Sequence, residues 1–542
     1  MARPNALPAR WLTLALVAAA LPLLATTCGT QSTGTRAFAK NSLIIPMDAC
    51  YQGDGSTAPT ACPGSSDRGD VLRAYGLVYR LLQANVPVYW VIQNGKTSHA
   101  DVDLSVAWSA GAPVGKYDWA NGAFAAPPPN NTTHQANYRG GPFVVDGAWF
   151  AQANAVLQSA DIKATFGAAP AVNVHVSNVA FTAHVARAMN GGWSAGGNTP
   201  PPIALLNITG ADGLNSVGVL QGYLDAAGLG TLPGAGGTAS GPHGSIYDRL
   251  DVADFLPNLA ASRLGINGYR VLWAPHWVGT CPTTPPYNCL ATSYTQAQLN
   301  QVRETIRTYV ASGKDFFAQC SAITTMESGI EFCPTVINDD TTSTSQLMTT
   351  KGMDYNLSGY TNSSCNRTYA DFVPLTYTVF SSPFMQLAEF PFKGVSGAVA
   401  NYRPGYNSLG STWKPGVTHL VASSTYPLWD MFTLKGAASG SGNTLYLAGH
   451  DYKGQVAGTR LVLNTLFNLG STCVTTNTPC DTGQLGVCGQ GQTQCVNELP
   501  TCVAVNVASA EICDGLDNDC NGINDDGLIT DADNDGHSAL TS

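Results

Sequence analysis

Tyr269-Arg-Val-Leu-Trp-Ala274, a stretch from Thr295 to Val310, and Asp315-Phe-Phe-Ala-Gln319 together decide the fold. The first and last are short apolar runs that read as strands. Between them Leu299, Val302, Ile306 and Tyr309 line one helical face, Thr295 with Gln298 makes a capping box, and Gly313 stands at the C-terminal end. Strand, helix and strand in that order predict parallel strands joined by a crossover helix.

The same alternation continues on both sides. Pro202-Ile-Ala-Leu-Leu-Asn-Ile-Thr209 reads as a strand feeding a helix from Val217 to Ala227, which Gly228 closes. Thr418-His-Leu-Val-Ala422 and Thr444-Leu-Tyr-Leu-Ala448 read as strands, and 458–469 as a last helix. Nearer the start, the strand Ser42-Leu-Ile-Ile-Pro-Met-Asp48, a helix from Leu72 to Ala84 with Leu77, Leu81 and Leu82 on one face, and the strand Pro87-Val-Tyr-Trp-Val-Ile92 form another such unit, with parallel pairing expected. Residues 108–140, rich in Gly, Pro and Asn, read as loop, before strands at Pro142-Phe-Val-Val145 and Val172-Asn-Val-His-Val176. The expected fold class is α/β: doubly wound, flavodoxin-like parallel sheet units with a ligand crevice at the carboxyl ends of the strands, followed by a small irregular disulfide-rich tail. The expected divisions are a leader at 1–28, a linker at 29–40, an N-terminal α/β unit at 41–199, a second α/β domain at 200–470 and a Cys-rich tail at 471–542.

Charged residues make up only 11% of the 542, against about 25% in average soluble proteins. The 57 glycines and 32 prolines predict long loops, and a net charge of −10 without a basic, aromatic-interleaved patch argues against a nucleic-acid partner. Arg3 and Arg10 precede an apolar run from Trp11 to Leu24, the layout of an export signal too short for a comfortable membrane span. Ala25-Thr-Thr-Cys28 resembles a bacterial lipobox, although Leu is usual where Ala25 stands and Gly or Ala where Thr27 stands. That resemblance implies a lipid anchor on Cys28; simple secretion is the alternative. No later stretch reaches the roughly 18 apolar residues of a membrane helix, so no transmembrane span is expected in the mature chain. The expected location is therefore exported, as an outer-membrane or cell-surface lipoprotein or as a secreted protein. Fifteen cysteines agree with an oxidising destination. Cys50 with Cys62 and Cys281 with Cys289 read as loop staples, but spacing does not fix connectivity.

The chain ends in an acidic segment, Glu511-Ile-Cys-Asp-Gly-Leu-Asp-Asn-Asp-Cys-Asn-Gly-Ile-Asn-Asp-Asp-Gly527, then Asp531-Ala-Asp-Asn-Asp-Gly536. Carboxylates at alternate positions let Asp531, Asp533 and Asp535 converge on one hard cation, and Gly536 permits a sharp turn after them. The segment resembles the MopE-type metal-binding motif, C-D-G-x-D-N-D-C-x-G-x-x-D-[DE]-G followed by D-x-D-x-D-G. The resemblance implies ligands among Asp514, Asp517, Asp519, Asp525, Asp526, Asp531, Asp533 and Asp535. The family's namesake is associated with copper, whereas oxygen donors favour calcium, the first expectation here. Cys513 and Cys520 are expected to be tied up in disulfides, with connectivity open, and His537 is the only nearby imidazole. An EF-hand would need Glu where Ser542 stands.

Cys320 follows a strand and is flanked by Ala318 and Ala322. This resembles the G-x-C-x-G nucleophile elbow of class I glutamine amidotransferases, with alanines for the glycines. Tyr446-Leu-Ala-Gly-His450 and Leu463-Asn-Thr-Leu-Phe467 resemble the closing strand and helix of the related ThuA-like superfamily, a likeness that covers roughly residues 200–470. It implies Cys320 as an exposed nucleophile activated at a helix N-terminus, and His450 as its base. Tyr452 stands where that pattern wants Glu, so the triad lacks its third member. A Cys320–Cys333 disulfide or an inert buried thiol is the competing expectation. His276 at a strand end, His243 in a Gly/Pro loop and His99 beside Asp101 and Asp103 are weaker candidates, more often structural.

The function expected from these residues is an exported bacterial surface protein rather than an enzyme. Its tail would bind a metal ion, and its α/β body would have a binding or structural role toward an extracellular glycan or cell-envelope component. An exported Cys-His hydrolase or amidase is one alternative. A carbohydrate-binding adhesin using exposed aromatics such as Trp413 and Trp429 is another.

Overall fold

A computed structural model describes residues 34–53, 68–125, 134–190, 193, 198–207, 215–230, 234–275, 296–320, 322–328, 346–350, 354–355, 375–388, 402–403, 412–423, 430–435, 441–449, 451–470, 479–482, 484–496, 499–512 and 514–527. The leader with Cys28, and also His276, Cys281, Cys289, Cys333, Trp429, His450, Cys513, Asp531, Asp533, Asp535 and His537, lie outside them.

The first sheet has eight strands: β1 (Gly34–Phe38), β2 (Leu43–Ile45), β3 (Val88–Val91), β4 (Val114–Asp118), β5 (Ala123–Phe124), β6 (Phe143–Val145), β7 (His175–Ser177) and β8 (Phe181–Met189). Their order is β1-β8-β3-β6-β2-β7-β4-β5, and every neighbouring pair is antiparallel. This corrects the parallel pairing expected for the first strand-helix-strand unit. Helix α1 (Val71–Gln83) does carry β2 to β3 in the same direction, but β6 enters between them and pairs antiparallel with both. Strand β1 occupies the segment read as linker, and β4 with Gln135–Arg139 occupies the segment read as loop.

Helix α1 forms for local reasons. The Asp70 carboxylate accepts the N–H groups of Leu72 at 2.9 Å and Arg73 at 3.1 Å, a cap that contributes about 1 kcal/mol. Leu77, Leu81 and Leu82 are all buried, as expected.

The second sheet has nine strands: β9 (Ile203–Leu206), β10 (Gly236–Thr238), β11 (Tyr247–Leu250), β12 (Val271–Pro275), β13 (Asp315–Gln319), β14 (Leu375–Tyr377), β15 (Val417–Ser423), β16 (Asp430–Lys435) and β17 (Thr444–Leu447). Their order is β10-β11-β9-β12-β13-β17-β16-β15-β14. The first six run parallel, and antiparallel pairing begins at β16. Helices α2 (Ser216–Ala226), α3 (Gln296–Ala311), α4 (Ala322–Ser328) and α5 (Val456–Gly470) accompany it. Val302, Ile306 and Tyr309 of α3 are buried, and Gly228 takes φ +70° after α2, both as expected.

Helix α1 packs on α2 and α5, so the two sheets share one apolar core. The contact is close at Gly76, where a β-carbon would stand 1.8 Å from the Ala227 carbonyl oxygen. Buried polar groups fix the join. Arg460 of α5 donates to the carbonyls of Leu387 at 3.1 Å and Gly140 at 3.0 Å, and Lys96 donates to Asp103 at 2.8 Å and Gln386 at 3.0 Å. Trp413 is half-buried against the same core.

The tail forms a three-stranded antiparallel sheet of β18 (Pro479–Asp481), β19 (Gln490–Val496) and β20 (Leu499–Ala504), and 505–512 and 514–527 run on without helix or strand. Its β20 touches β8.

Candidate functional site

Two places gather chemistry. The first is the carboxyl edge of the parallel strands. In register, Gln319 of β13 lies beside Pro275 of β12 and Leu447 of β17, so Cys320 is the first residue past that edge. Its backbone turns into the left-handed region, φ +53°, while its N–H still donates to the Leu447 carbonyl at 2.9 Å. Helix α4 begins two residues later, with Ala318 and Ala322 both fully buried. The elbow geometry expected from the residues is therefore present. The exposed nucleophile is not, because Cys320 is a buried thiol with 2% exposure.

Tyr452 shows why. Its phenol, fully buried, donates to the Ala448 carbonyl, and its N–H donates to the Tyr223 hydroxyl at 2.9 Å. Burial first, then Tyr223 and Cys320 nearby, push this phenol well above its ordinary pKa. The position where a triad carboxylate was sought is thus a core residue. One buried carboxylate does lie in α4: Glu327 accepts from the N–H groups of Leu347 at 2.8 Å, Met348 at 2.8 Å and Thr349 at 3.0 Å, and from the Thr349 hydroxyl. Those four donors make it an anchor for the returning chain.

The second place is the tail, where carboxylates fold the backbone around themselves. Asp514 accepts from Leu516 N–H and Asn518 Nδ2, and Asp525 accepts from the N–H groups of Asp514 and Gly515. Asp517 accepts from Asn521 N–H at 3.0 Å and Gly522 N–H at 2.8 Å, while Glu511 accepts from Asp519 N–H at 2.6 Å and Asp525 N–H at 3.0 Å. Such side-chain-to-backbone bonds replace regular structure in an Asx-rich loop. One oxygen each from Glu511, Asp517 and Asp519 lies within 4.8 Å of the others. Of the residues implied by the motif, the described loop brings Asp517 and Asp519 together. Asp514 and Asp525 hold backbone amides, and Asp526 takes the Asn521 side-chain amide. Glu511 was missed because it precedes the motif.

The loop is held from below. Cys520 is in a disulfide, as expected, and its partner is Cys488 in the turn Gly486–Gly489. The reason is that the loop lies directly on that turn, with Val487 N–H donating to the Asp517 carbonyl at 3.0 Å. The donors in the cluster are all hard oxygens, with Cys520 engaged in the disulfide. That set fits calcium better than copper.

His243, one of the weaker candidates, has a buried acidic partner. Its Nδ1 lies 2.5 Å from the carboxylate of Asp248, which is fully buried and also accepts from the Tyr269 hydroxyl at 2.7 Å and Gly244 N–H at 2.8 Å. No local pattern signals this pair. His99 is wedged between the rings of Tyr377 and Phe380, and burial lowers its pKa to about 4, so it is a packing residue.

No family model matches the chain, the MopE-type motif included, and no curated protein matches it. Among solved structures, a ThuA-like protein from Bacteroides uniformis ATCC 8492 is similar at 12% identity and a TM-score of 0.25, over 52% of this chain and 94% of its own. An overlap that low carries no argument. No described helix is long and apolar enough to cross a membrane.

Proposed function

We propose that this is an exported bacterial surface protein whose C-terminal loop binds a divalent cation, calcium in preference to copper, with Glu511, Asp517 and Asp519 as ligands. The observation that carries this reading is the convergence of those three carboxylates to within 4.8 Å in a loop stapled by Cys488–Cys520. Asp531, Asp533 and Asp535 complete the ligand supply in this proposal. The disulfides at Cys50 and at Cys488–Cys520, together with the leader, support an oxidising, extracytoplasmic destination with Cys28 as lipid anchor or with plain secretion.

In this account the body binds an extracellular glycan or envelope component, or has a structural role. Its sheet supports a flavodoxin-like, amidotransferase-like assignment. Setting aside short β10, the parallel order β11-β9-β12-β13-β17 follows the doubly wound 2-1-3-4-5 pattern. The switch point of that pattern falls between β9 and β12. Titration of the oxidised, demetallated protein with calcium and with copper, followed by heat, tests the cation claim.

The elbow at Cys320 favours a second reading, a Cys-His hydrolase with His450 as base. Rapid iodoacetamide labelling of Cys320 in the native protein, suppressed by His450→Ala, would establish it. The burial of Cys320 and Tyr452 supports slow labelling instead, indifferent to that substitution.

A further inference from the structure

We propose that the groove between Leu485 and Val507, floored by the Cys488–Cys520 disulfide, docks an apolar side chain carried on a positively charged segment of a partner protein. The groove encloses about 640 Å³, and Leu485, Ala504, Val507 and Ala508 supply its apolar walls. Leu485 is 56% exposed and Val507 81%. They are part of a wider pattern. Nine large apolar side chains are exposed among the described residues, and six of them belong to this small module, the others being Val505, Ile512, Leu516 and Ile523. Exposed apolar side chains that face one groove, as Leu485 and Val507 do, mark an interaction site.

The charge around the groove selects the partner. No lysine or arginine follows Arg460, whereas eleven aspartates and glutamates lie between Asp481 and Asp535. Cys520 on the groove floor stands between Asp519 and Asn521, and Asp517 lies against the Gly486 turn that carries Cys488. The groove is therefore apolar within an acidic surround. A second copy of this chain would bring acid against acid, and an anionic lipid surface is disfavoured on the same ground. A basic segment with an apolar anchor satisfies both features.

The test uses the full-length oxidised protein in EDTA, which removes the cation site from the readout, and fluorescence anisotropy of short labelled peptides. One peptide alternates lysine and leucine, a second replaces lysine by glutamate, and a third replaces leucine by serine. The expected result is saturable binding of the lysine–leucine peptide, with the other two weaker by about tenfold or more. Leu485→Ser and Val507→Ser should each weaken the lysine–leucine peptide similarly, and both sites are exposed enough for the fold to survive. An unchanged thermal transition checks that survival. Three results would each overturn the proposal: no binding, binding indifferent to leucine or to both substitutions, or a dimer in sedimentation that Val507→Ser dissolves.

Discussion

Gly486 lies directly beneath Asp517: a β-carbon on Gly486 would stand 2.2 Å from the Asp517 carbonyl oxygen, and Gly486 itself takes φ +57°. The close approach lets Val487 N–H reach that carbonyl and the neighbouring disulfide close. Gly486→Ala should therefore push Asp517 away from Glu511 and Asp519. We expect calcium affinity to fall by about tenfold or more, read by calorimetric titration, with the body's thermal transition unchanged.

Covalent closure of the same loop gives a related expectation. Cys520→Ser breaks the bond to Cys488 and frees the loop to sample conformations in which the carboxylates no longer converge. Calcium affinity should drop in this variant and in wild-type protein treated with reductant. Equal affinity in all three samples would show that backbone hydrogen bonds alone shape the loop.

The join between the two sheets depends on a buried ion pair, Lys96 with Asp103, whose side chains are 1% and 0% exposed. Lys96→Ala leaves the carboxylate without its cation, retaining only the N–H groups of Gln93 at 3.0 Å and Gly141 at 2.9 Å. The expected cost is about 3–5 kcal/mol in urea unfolding. Replacing both partners, Lys96→Met with Asp103→Leu, should recover much of it, since the desolvation penalty then disappears.

Low pH should destabilise the N-terminal sheet through His175. Burial first, and Lys116 second, lower its pKa from 6.5 to about 3, and its Nδ1 meets the Tyr138 hydroxyl at 2.8 Å. The unfolded chain takes up the proton that the folded chain refuses, so stability is full above the unfolded value and is lost as pH falls from about 6.5 toward about 3. His99, lowered to about 4, acts in the same direction. Urea midpoints should therefore fall between pH 7 and pH 5 by less in His175→Gln than in wild type. Equal slopes would contradict this.

Much of the parallel half of the body was legible because β9, β12, β13 and β17 are each followed by a helix, α2, α3, α4 and α5. Leu299, Val302, Ile306 and Tyr309 announce α3, and Asp315–Gln319 forms β13 with the bounds read from sequence. The first sheet misled because a later strand enters between two that are neighbours in sequence. Strands β2 and β3 look like an adjacent pair in sequence, but the strand between them, β6, comes from residues 143–145. The bonding of β4 to β7 likewise depends on partners some sixty residues apart, Lys116 and His175. At the candidate site, residue types announced an acidic loop that brings Asp517 and Asp519 together. The inclusion of Glu511 and the Cys488–Cys520 link depend on how the loop folds over Gly486, which spacing does not encode.

Calorimetric titration of the full-length, oxidised, demetallated protein tests the central claim most directly. We predict saturable heat with calcium, weaker or absent heat with copper, and loss of the calcium signal in Asp517→Asn with Asp519→Asn. No heat with either ion, or calcium heat unchanged in that double variant, would contradict it.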